Sequence, residues 1–377
     1  MMIHFTQCEH LINLTDLSIH SHSTLRYRCP HQPMTKEDVK LLSNCKYLTN
    51  LTRLDLSGNG IGEEGVKHLF ESKYFTKLTD LSLLGVRVDT SVFSSMANSS
   101  ILQNLTSLQL PWTMGKTFNM ANTETLAIVQ SIAISNMKHL SFRGTSIDNQ
   151  TISHLVHNPS PQLTSLNLEM SQVEPEVLRE LATCPQMNHL KAIYLENLIT
   201  GPQVGLAECR LICEHSNLTR VSLSRIFLRD EIFVIIAAHL KNLTDLKIAH
   251  CGNNSIHSLC TSPNLSQLRV LNLSDRGYNY EQVLNDIALS KYLTNLTELH
   301  LDIVMTRPLS EILWSENMSK LHVISLLGAK VQVDALERLV KMPNLYNLKK
   351  MYLSIVEEEM VEVVGKRFEL VDYFSLY

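Results

Sequence analysis

Three glycines in one short segment have the spacing of a dinucleotide-binding turn. Gly60, Gly62 and Gly65 match G-x-G-x-x-G between an apolar run and an amphipathic run, and such glycines let a pyrophosphate reach the amino terminus of a helix. However, Glu63 and Glu64 stand at that same helix start, where negative charge opposes a bound pyrophosphate. We therefore expect no nucleotide cofactor at this segment.

A second group of residues has the side-chain types that bind zinc. Thiolate and imidazole groups are ligands that zinc prefers, and they collect between residues 8 and 31. Several are separated by one position, so on a strand they would compete for the same side of a metal ion. We expect an irregular loop over about residues 20–35 and no bound metal. The candidate ligands are Cys8, His10, His20, His22, Cys29 and His31.

A long segment at about residues 111–122 carries several large apolar side chains. Trp112, Met114 and Phe118 either pack over the core or form an exposed partner-binding loop, because loops of this kind often carry function. Both alternatives stay open. The chain has no Walker loop, G-x-S-x-G elbow or H-E-x-x-H motif. We therefore predict a protein that is not an enzyme and has no cofactor.

Thirteen copies of one apolar spacing organise almost the whole chain. In each copy an apolar residue is followed at +3 and +5 by two more, and all thirty-nine positions hold Leu, Ile, Val, Met or Phe. Most copies begin 25 to 28 residues after the previous one, which suits one strand and one short helix per copy. The copies begin at Leu14, Leu51, Leu78, Leu105, Met137, Leu163, Leu190, Leu218, Leu243, Leu268, Leu296, Leu321 and Leu348.

This spacing is identified as a leucine-rich repeat, and the copy at residues 51–69 also has the asparagine and the helical half of the consensus. The resemblance implies an α/β leucine-rich-repeat solenoid (horseshoe), with parallel strands on the concave face and short helices on the convex face. Stacked repeats bury an apolar face that a lone repeat cannot bury. We predict a single domain over residues 1–377, with about thirteen repeats and a capping segment at about residues 355–377.

Two features resemble particular subfamilies of these repeats. Residues 42–48 and 181–190 resemble the Leu-x-x-Cys-Pro-x-Leu ending of cysteine-containing repeats, as in the F-box substrate adaptors of ubiquitin ligases. Residues 57–69 resemble the ribonuclease-inhibitor-like repeats of the ribonuclease inhibitor and the Ran GTPase-activating protein. Three functions follow: a protein-binding module, a substrate-recognition component of an F-box-type ubiquitin ligase, or a GTPase-regulating protein. Because about ten residues precede the first repeat, we expect only the substrate-holding part of such an adaptor.

Charge and cysteine usage narrow the class of partner. The formal net charge is −4, which provides no general attraction to nucleic acid or to an anionic membrane.

The first residues lack the pattern of a secretory signal, and the eight cysteines are scattered, as in reduced proteins. The most apolar stretch, residues 232–240, falls short of the roughly 20 residues of a membrane span and predicts a convex-side helix. We predict a cytoplasmic, intracellular protein.

Many Asn-x-Ser/Thr tripeptides coincide with the repeat. Asn50 and Asn295 each precede the first leucine of a copy, and a threonine follows that leucine. In these copies the tripeptide therefore marks the start of a strand. We expect a structural role for these asparagines rather than glycosylation.

The surface available to a partner follows from strand geometry. Side chains alternate along a strand, so residues at +2, +4 and +6 face the concave side when the leucines point inward. Eight acids and five lysines or arginines lie at these positions, which disfavours nucleic acid. We expect a protein partner of unknown identity and a monomeric chain. Because tyrosine and arginine dominate many interfaces, the proposed anchor is Arg143, Glu169, Tyr194, Glu196, Arg220 and Asp245.

Overall fold

The computed structural model describes residues 2–21, 33–113, 123–131, 136–145, 147, 149–158, 162–171, 173, 175–184, 188–196, 206–214, 217–223, 231–248, 253–273, 280–302, 315–327, 333–353, 356–365 and 367–372. The chain divides into two compact units, Met1–Gln203 and Val204–Tyr377. Each unit is built from successive copies of one strand and one helix. The single domain of about thirteen repeats over residues 1–377 stays a prediction.

In the first unit, the repeats contribute short strands to a parallel sheet. The strands β1, β2, β3, β5, β7, β8 and β9 follow one another in chain order, and β4 pairs in parallel with β6 in a small second sheet. Their bounds are β1 Asp16–Ser18, β2 Arg53–Asp55, β3 Asp80–Ser82, β4 Arg87–Val88, β5 Ser107–Gln109, β6 Trp112–Thr113, β7 His139–Ser141, β8 Ser165–Asn167 and β9 Ala192–Tyr194.

The helices of the first unit pack side by side in chain order. The helix over residues 36–43 begins with a capping box, because Thr35 and Asp38 exchange backbone and side-chain hydrogen bonds. The helix over residues 62–70 buries Val66, Leu69 and Phe70. The bounds are α1 Met2–Thr6, α2 Lys36–Ser43, α3 Gly62–Phe70, α4 Val92–Ala97, α5 Thr123–Ser131, α6 Asn149–His157 and α7 Pro175–Thr183, with 3-10 helices at Glu9–Asn13 and Ser100–Asn104.

The second unit repeats the same plan. Its strands β10 to β16 pair in parallel in chain order. In chain order the elements are α8 Leu206–Glu214, β10 Arg220–Ser222, α9 Glu231–His239, β11 Asp245–Lys247, α10 Asn253–Cys260, β12 Val270–Leu273, α11 Tyr280–Leu289, β13 Glu298–Asp302, β14 Val323–Leu327, α12 Val333–Val340, β15 Lys350–Leu353, α13 Glu358–Val364 and β16 Glu369–Asp372, with 3-10 helices at Pro263–Leu265, Glu316–Met318 and Pro343–Leu345.

The central apolar residue of each strand lies in register with that of the next strand. These are the +3 positions of the sequence repeat, so the predicted register is confirmed, and from Leu54 to Met351 they are all buried. In the first unit the column is Leu17, Leu54, Leu81, Leu108, Leu140, Leu166 and Ile193. In the second unit it is Val221, Leu246, Leu271, Leu299, Ile324, Met351 and Leu370.

The parallel strands, the helices between them and the buried leucine columns form the α/β leucine-rich-repeat solenoid that the spacing predicts. The apolar stretch at residues 232–240 forms the predicted helix α9, which buries Ile232, Phe233 and Ile236. Within the described ranges, every helix is too short or too polar to cross a bilayer.

The asparagine and threonine of the tripeptides bind the backbone of the preceding repeat. Asn50 Nδ2 donates to Ile12 O at 2.7 Å, and Asn295 Nδ2 donates to Ser266 O at 2.7 Å. Thr52 Oγ1 also donates, to Thr15 O at 2.9 Å. These hydrogen bonds satisfy carbonyl groups at the junction between repeats. The tripeptides therefore have the structural role that their position predicts.

The carboxyl-terminal segment contains a strand that the leucine spacing does not predict. The expected amphipathic helix is α13, with Met360 and Val364 buried. After it, β16 pairs in parallel with β15, as a further repeat would do. The spacing is hidden because Arg367 stands where other copies have the first leucine and Asp372 stands at +5. The Arg367 guanidinium donates to Val340 O and Met342 O, so it satisfies carbonyls at the end of α12.

Candidate partner-binding face

The outward side chains of the first sheet form an open polar surface, here called the strand face of the first unit. It comprises the +2, +4 and +6 residues of the seven repeats between Asp16 and Glu196, which flank buried apolar residues, as Arg53 and Asp55 flank Leu54. Five of these residues are acidic and two are arginines, so the formal charge of the face is −3. The charged residues are Asp16, Asp55, Asp80, Glu169, Glu196, Arg53 and Arg143.

A groove of about 570 Å³ crosses this face over the first five strands of the sheet. Its walls combine side chains of β2, β3 and β5 with residues that follow the strands. Trp112 and Arg143 both line it, although the sequence suggests them as members of two alternative sites. The lining is His20, Ser21, Arg53, Leu54, Asp55, Ser57, Gly58, Asp80, Leu81, Ser82, Leu84, Gly85, Ser107, Gln109, Trp112 and Arg143.

A row of hydrogen bonds fixes the polar side chains along the groove. The Ser57 hydroxyl donates to Asp55 Oδ1, and the Ser57 backbone N–H donates to the same oxygen at 2.9 Å. Ser82 Oγ lies 2.7 Å from Ser57 Oγ and 3.0 Å from Gln109 Oε1, and it has one hydroxyl hydrogen to donate to one of these two oxygens. These contacts connect three neighbouring strands. They hold the side chains in place without a ligand, which lowers the entropy cost of binding one.

The acids of the groove are not all neutralised. Arg53 lies in register between Asp16 and Asp80, and it pairs with Asp16, whose Oδ2 is 3.2 Å from Arg53 Nη1. Asp80 accepts a hydrogen bond from Thr79 Oγ1 at 2.7 Å. Among the residues that the structure describes, no cationic side chain forms an ion pair with Asp55 or Asp80.

Trp112 lines the groove from the short strand β6. Its backbone N–H donates to Val86 O at 2.7 Å, and the N–H of Thr113 donates to Gly144 O at 3.2 Å. Residues 112 and 113 were expected to belong to a loop, but these bonds place them in a strand. The indole Nε1 is buried and has no acceptor among the described residues. Met114 and Phe118, the other candidates of this segment, lie outside the described residues.

Arg143 and Glu169 form an ion pair across two neighbouring strands. Arg143 Nη2 is 3.2 Å from Glu169 Oε1, and the Glu169 side chain is only 10% exposed. A charged carboxylate is costly to bury unless a cation or donors accompany it. Glu169 therefore partly neutralises Arg143, which lines the groove as one half of an ion pair.

Tyr194 and Glu196 follow Glu169 on the same face. Tyr194 is half-buried and stands in register with Asn167. Its hydroxyl forms no hydrogen bond with the part of the chain that the structure describes. Glu196 is buried, and its carbonyl accepts a hydrogen bond from the Met170 N–H at 2.8 Å. The first unit thus brings together four of the six predicted anchors on one face, with Tyr194 available to a partner.

The other two anchors lie on neighbouring strands of the second unit. Arg220 Nε is 3.5 Å from Asp245 Oδ2, and both side chains are substantially exposed. Thr244 Oγ1 donates to the same carboxylate oxygen at 2.6 Å. An exposed ion pair of this kind contributes little stability. Arg220 and Asp245 are therefore a separate, mutually neutralised pair.

The glycine-rich segment has a packing role. A Cβ on Gly65 would lie 2.8 Å from Ile61 Cβ and 3.4 Å from the Cα of Lys36 in helix α2. Glu63 Oε1 accepts a hydrogen bond from the Asp89 N–H at 3.2 Å, and Glu64 pairs with Lys36. The acids at the start of α3 are thus bonded to neighbouring repeats, and the glycine permits the close approach of two helices.

The candidate metal ligands are separated from one another or lie outside the described residues. Cys29 and His31 lie outside the described residues. Among the residues described, no three His, Cys, Asp or Glu side chains come together as metal ligands would. The described cysteines are free thiols, and all but Cys8 are buried.

Sequence reasoning singled out the large anchors of this face but missed the small ones. Asp55, Ser57, Ser82 and Gln109 occupy outward positions that the strand alternation already indicates. Their signal is the same +4 or +6 position in adjacent copies, which makes them neighbours. Residue type alone does not select them, because serine and aspartate are common on any solvated strand.

Comparison with known proteins bears on the fold. No protein-family model matches the chain, and no curated protein matches it significantly. A solved structure of the Rad7 and Elc1 complex in yeast aligns over 91% of this chain and 85% of its own, with 15% identity and a TM-score of 0.57. At that identity the similarity concerns the fold alone.

Two bacterial structures align over similar lengths but with lower geometric agreement. A leucine-rich-repeat protein of Leptospira interrogans is 16% identical over 96% of this chain and 91% of its own, with a TM-score of 0.39. An internalin of Listeria monocytogenes is 17% identical over 90% and 88%, with a TM-score of 0.42. These scores carry no argument about function.

Proposed function

We propose that the chain is a non-catalytic protein-interaction module that binds its partner on the strand face of the first unit. The observation that carries this proposal is the groove, which a row of polar side chains lines together with Trp112 and Arg143. Aromatic and arginine side chains next to a polar rim are typical of protein interfaces.

The size and charge of the face support a protein as the ligand. Five strands about 4.8 Å apart span about 19 Å, which matches about six residues of extended chain. The formal charge of −3 opposes a nucleic acid, since a phosphate backbone is recognised by a basic stripe. A folded partner with a protruding segment would fit this surface.

In this proposal the predicted anchor residues contribute to partner binding in different ways. Tyr194 offers a half-buried ring and a free hydroxyl to the partner. Arg143 and Glu169 form a fixed ion pair that shapes the wall beside Trp112. Arg220 and Asp245 would provide a secondary contact in the second unit.

Affinity capture with matched variants tests the proposal. The full chain would be immobilised, and the captured proteins would be quantified by mass spectrometry for wild type, Tyr194→Ala and Leu289→Ala. Leu289 is 81% exposed at the end of helix α11, so it is a control for removal of an exposed side chain elsewhere. We expect Tyr194→Ala to reduce capture of the main protein partner and Leu289→Ala to leave it unchanged. Equal capture by all three would contradict the proposal.

A ubiquitin-ligase substrate-recognition component of the cysteine-containing repeat type is the second candidate function. It is supported by the helix-end cysteines: Cys45 is buried and donates to Thr6 O at 3.3 Å, and Cys184 is also buried. The structurally similar chain comes from a solved complex of Rad7 and Elc1. Recovery of ligase subunits among the captured proteins would favour this candidate. The ribonuclease-inhibitor-like, GTPase-regulating alternative would require faster hydrolysis by a purified GTPase.

We place this function in the cytoplasm, with the chain acting as a monomer. The support is the set of free thiols, five of them buried, because unpaired cysteines are usual in reducing compartments. Fractionation of the source cells and light scattering of the purified chain would test these two points.

A further inference from the structure

The groove on the strand face has a local excess of negative charge. Its lining contains two arginines, and each is held by an acid: Arg53 pairs with Asp16, and Arg143 pairs with Glu169. The lining also contains Asp55 and Asp80. Among the residues that the structure describes, Asp55, Asp80 and the two paired acids outnumber the two arginines by four to two, which gives these side chains a formal charge of −2.

The two remaining carboxylates are oriented and still have free acceptor capacity. Asp55 receives both of its hydrogen bonds, from Ser57, on Oδ1, and Asp80 receives its bond from Thr79 on Oδ2. The other oxygen of each group accepts no hydrogen bond from the described residues. The two residues lie on adjacent strands, because Asp55 is in register with Ser82, two residues after Asp80. A cationic side chain could therefore contact both.

The same groove offers a place for the apolar stem of a long cation. Trp112 and Leu84 line the groove together with Asp55 and Asp80. Lysine and arginine place their methylene stems along apolar surface and their charge at a polar group. Arginine also stacks on indole rings. An acidic floor beside an aromatic wall thus matches a basic side chain better than an acidic or purely apolar one.

A bound metal ion is a poorer match for these carboxylates. Two aspartates provide too few ligands for the six to eight oxygens that calcium takes. Within the part of the chain that the structure describes, no third acidic or imidazole group joins them.

We propose that the groove binds an extended basic segment of a protein partner, with the charge of an arginine or lysine of that segment on Asp55 and Asp80 and its apolar stem against Trp112. This inference rests on the proposed function and adds the chemistry of the partner. The supporting argument is charge complementarity, since opposite charges across an interface determine which partners are accepted.

A random peptide library of about twelve residues per peptide, displayed on phage, is a direct probe because an extended segment of about six residues spans the groove. Clones would be selected on the full chain and then sorted with Trp112→Ala, which identifies the clones that depend on the groove. Their binding would be measured to wild type, to Asp55→Asn with Asp80→Asn, and to Glu369→Gln. Glu369 is the control, because it is a strand carboxylate in the second unit that Lys350 already neutralises at 3.3 Å.

We expect the groove-dependent clones to be enriched in arginine and lysine. The double variant should bind them about tenfold more weakly or worse, because charge-assisted hydrogen bonds are lost. Glu369→Gln should bind them as wild type does. Asparagine can still accept the bonds from Ser57 and Thr79, so the double variant should fold. If the melting temperature of the double variant falls, binding of the same clones to wild type would be compared at low and high salt. Weaker binding at high salt would then support the contact between charges.

The outcomes separate this inference from the proposed function. Groove-dependent clones that are acidic or neutral, or that bind the double variant normally, would overturn the basic-segment inference alone. A selection that yields no groove-dependent clones would also overturn it. The proposed function is tested separately by the capture experiment, in which equal capture by wild type, Tyr194→Ala and Leu289→Ala would contradict it.

Discussion

The indole ring of Trp112 lies directly against Gly144. A Cβ on Gly144 would come within 2.7 Å of Trp112 Cδ1 and 2.9 Å of Nε1, and the glycine has a φ of +69°. The Gly144 backbone also forms hydrogen bonds to the two neighbouring repeats. Its N–H donates to Glu169 O, and its carbonyl accepts from the Thr113 N–H. One glycine therefore positions the aromatic wall of the groove beside the Arg143–Glu169 pair.

Replacing Gly144 with alanine should displace the indole and destabilise the first unit. A left-handed backbone costs an alanine about 1–2 kcal/mol, and the added methyl group overlaps the ring. Tryptophan emission in a Trp314→Phe background would report the movement, since the chain has two tryptophans. Gly60→Ala is the control, because a Cβ there meets nothing within 4 Å. Unchanged emission and melting of Gly144→Ala would show that the contact is absent.

An aspartate in the leucine column should unfold the protein far more readily than one on the surface. Leu246 is 1% exposed, so Leu246→Asp buries an unpaired charge at a cost of several kcal/mol. Leu289→Asp is the matched change at an 81% exposed leucine, where an effect within about 0.5 kcal/mol is expected. Thermal melting followed by circular dichroism would compare them. Equal melting temperatures would refute the register of the column.

Removing the amide of one repeat tripeptide should weaken the junction between repeats. Asn295 Nδ2 donates to Ser266 O, and its Oδ1 accepts from Lys320 Nζ, so Asn295→Ala should cost about 1–2 kcal/mol. Asn13 begins the same tripeptide, but it is exposed and forms no side-chain hydrogen bond within the described ranges. Asn13→Ala should therefore have little effect on urea unfolding. A larger loss at Asn13 than at Asn295 would contradict the structural role.

Alkaline pH should destabilise the second unit through its buried thiols. Burial, helped by the charge of Glu208, raises the pKa of Cys209 to about 12. Burial also raises the pKa of Cys213, with contributions from Cys209 and Glu214, and that of Cys260, with a contribution from Asp286. Unfolded thiols ionise near their ordinary pKa of 9.0 while the folded ones stay protonated.

The unfolded state then binds fewer protons, so stability is complete below about pH 9 and falls as the pH rises toward the folded values, by about 1.4 kcal/mol per pH unit for each thiol. Urea unfolding at several pH values would measure this slope. Cys213→Ala with Cys260→Ala should reduce it, whereas Cys8→Ala at the exposed cysteine should not. An identical slope in all three proteins would exclude Cys213 and Cys260 as its cause.

The leucine spacing predicts the strands and their register because side chains alternate along a strand and each copy places its leucines at the same offsets. Leu54, Leu166 and Leu246 occupy the predicted column for this reason. The strand β16 could not be predicted, since Arg367 and Asp372 replace two of the apolar residues that define a copy.

The candidate site was predictable where the repeat determines neighbours and unpredictable elsewhere. Arg143 and Glu169 hold the same +6 position in adjacent copies, so their contact follows from the register. Trp112 lies in a longer interval whose path the repeat does not determine. Its contact with Gly144, and its place in the groove, therefore required the structure.

The affinity of a captured partner tests the central claim most directly. Its dissociation constant would be measured for wild type, for Trp112→Ala with Tyr194→Ala, and for Leu289→Ala with Tyr346→Ala, which removes two side chains that are 81% and 71% exposed. Circular dichroism would verify the fold of each. If the strand face binds the partner, the first double variant should lose at least about 2 kcal/mol, or about 30-fold in affinity, and the second should bind as wild type does. A loss confined to the second double variant would contradict the assignment of partner binding to the strand face.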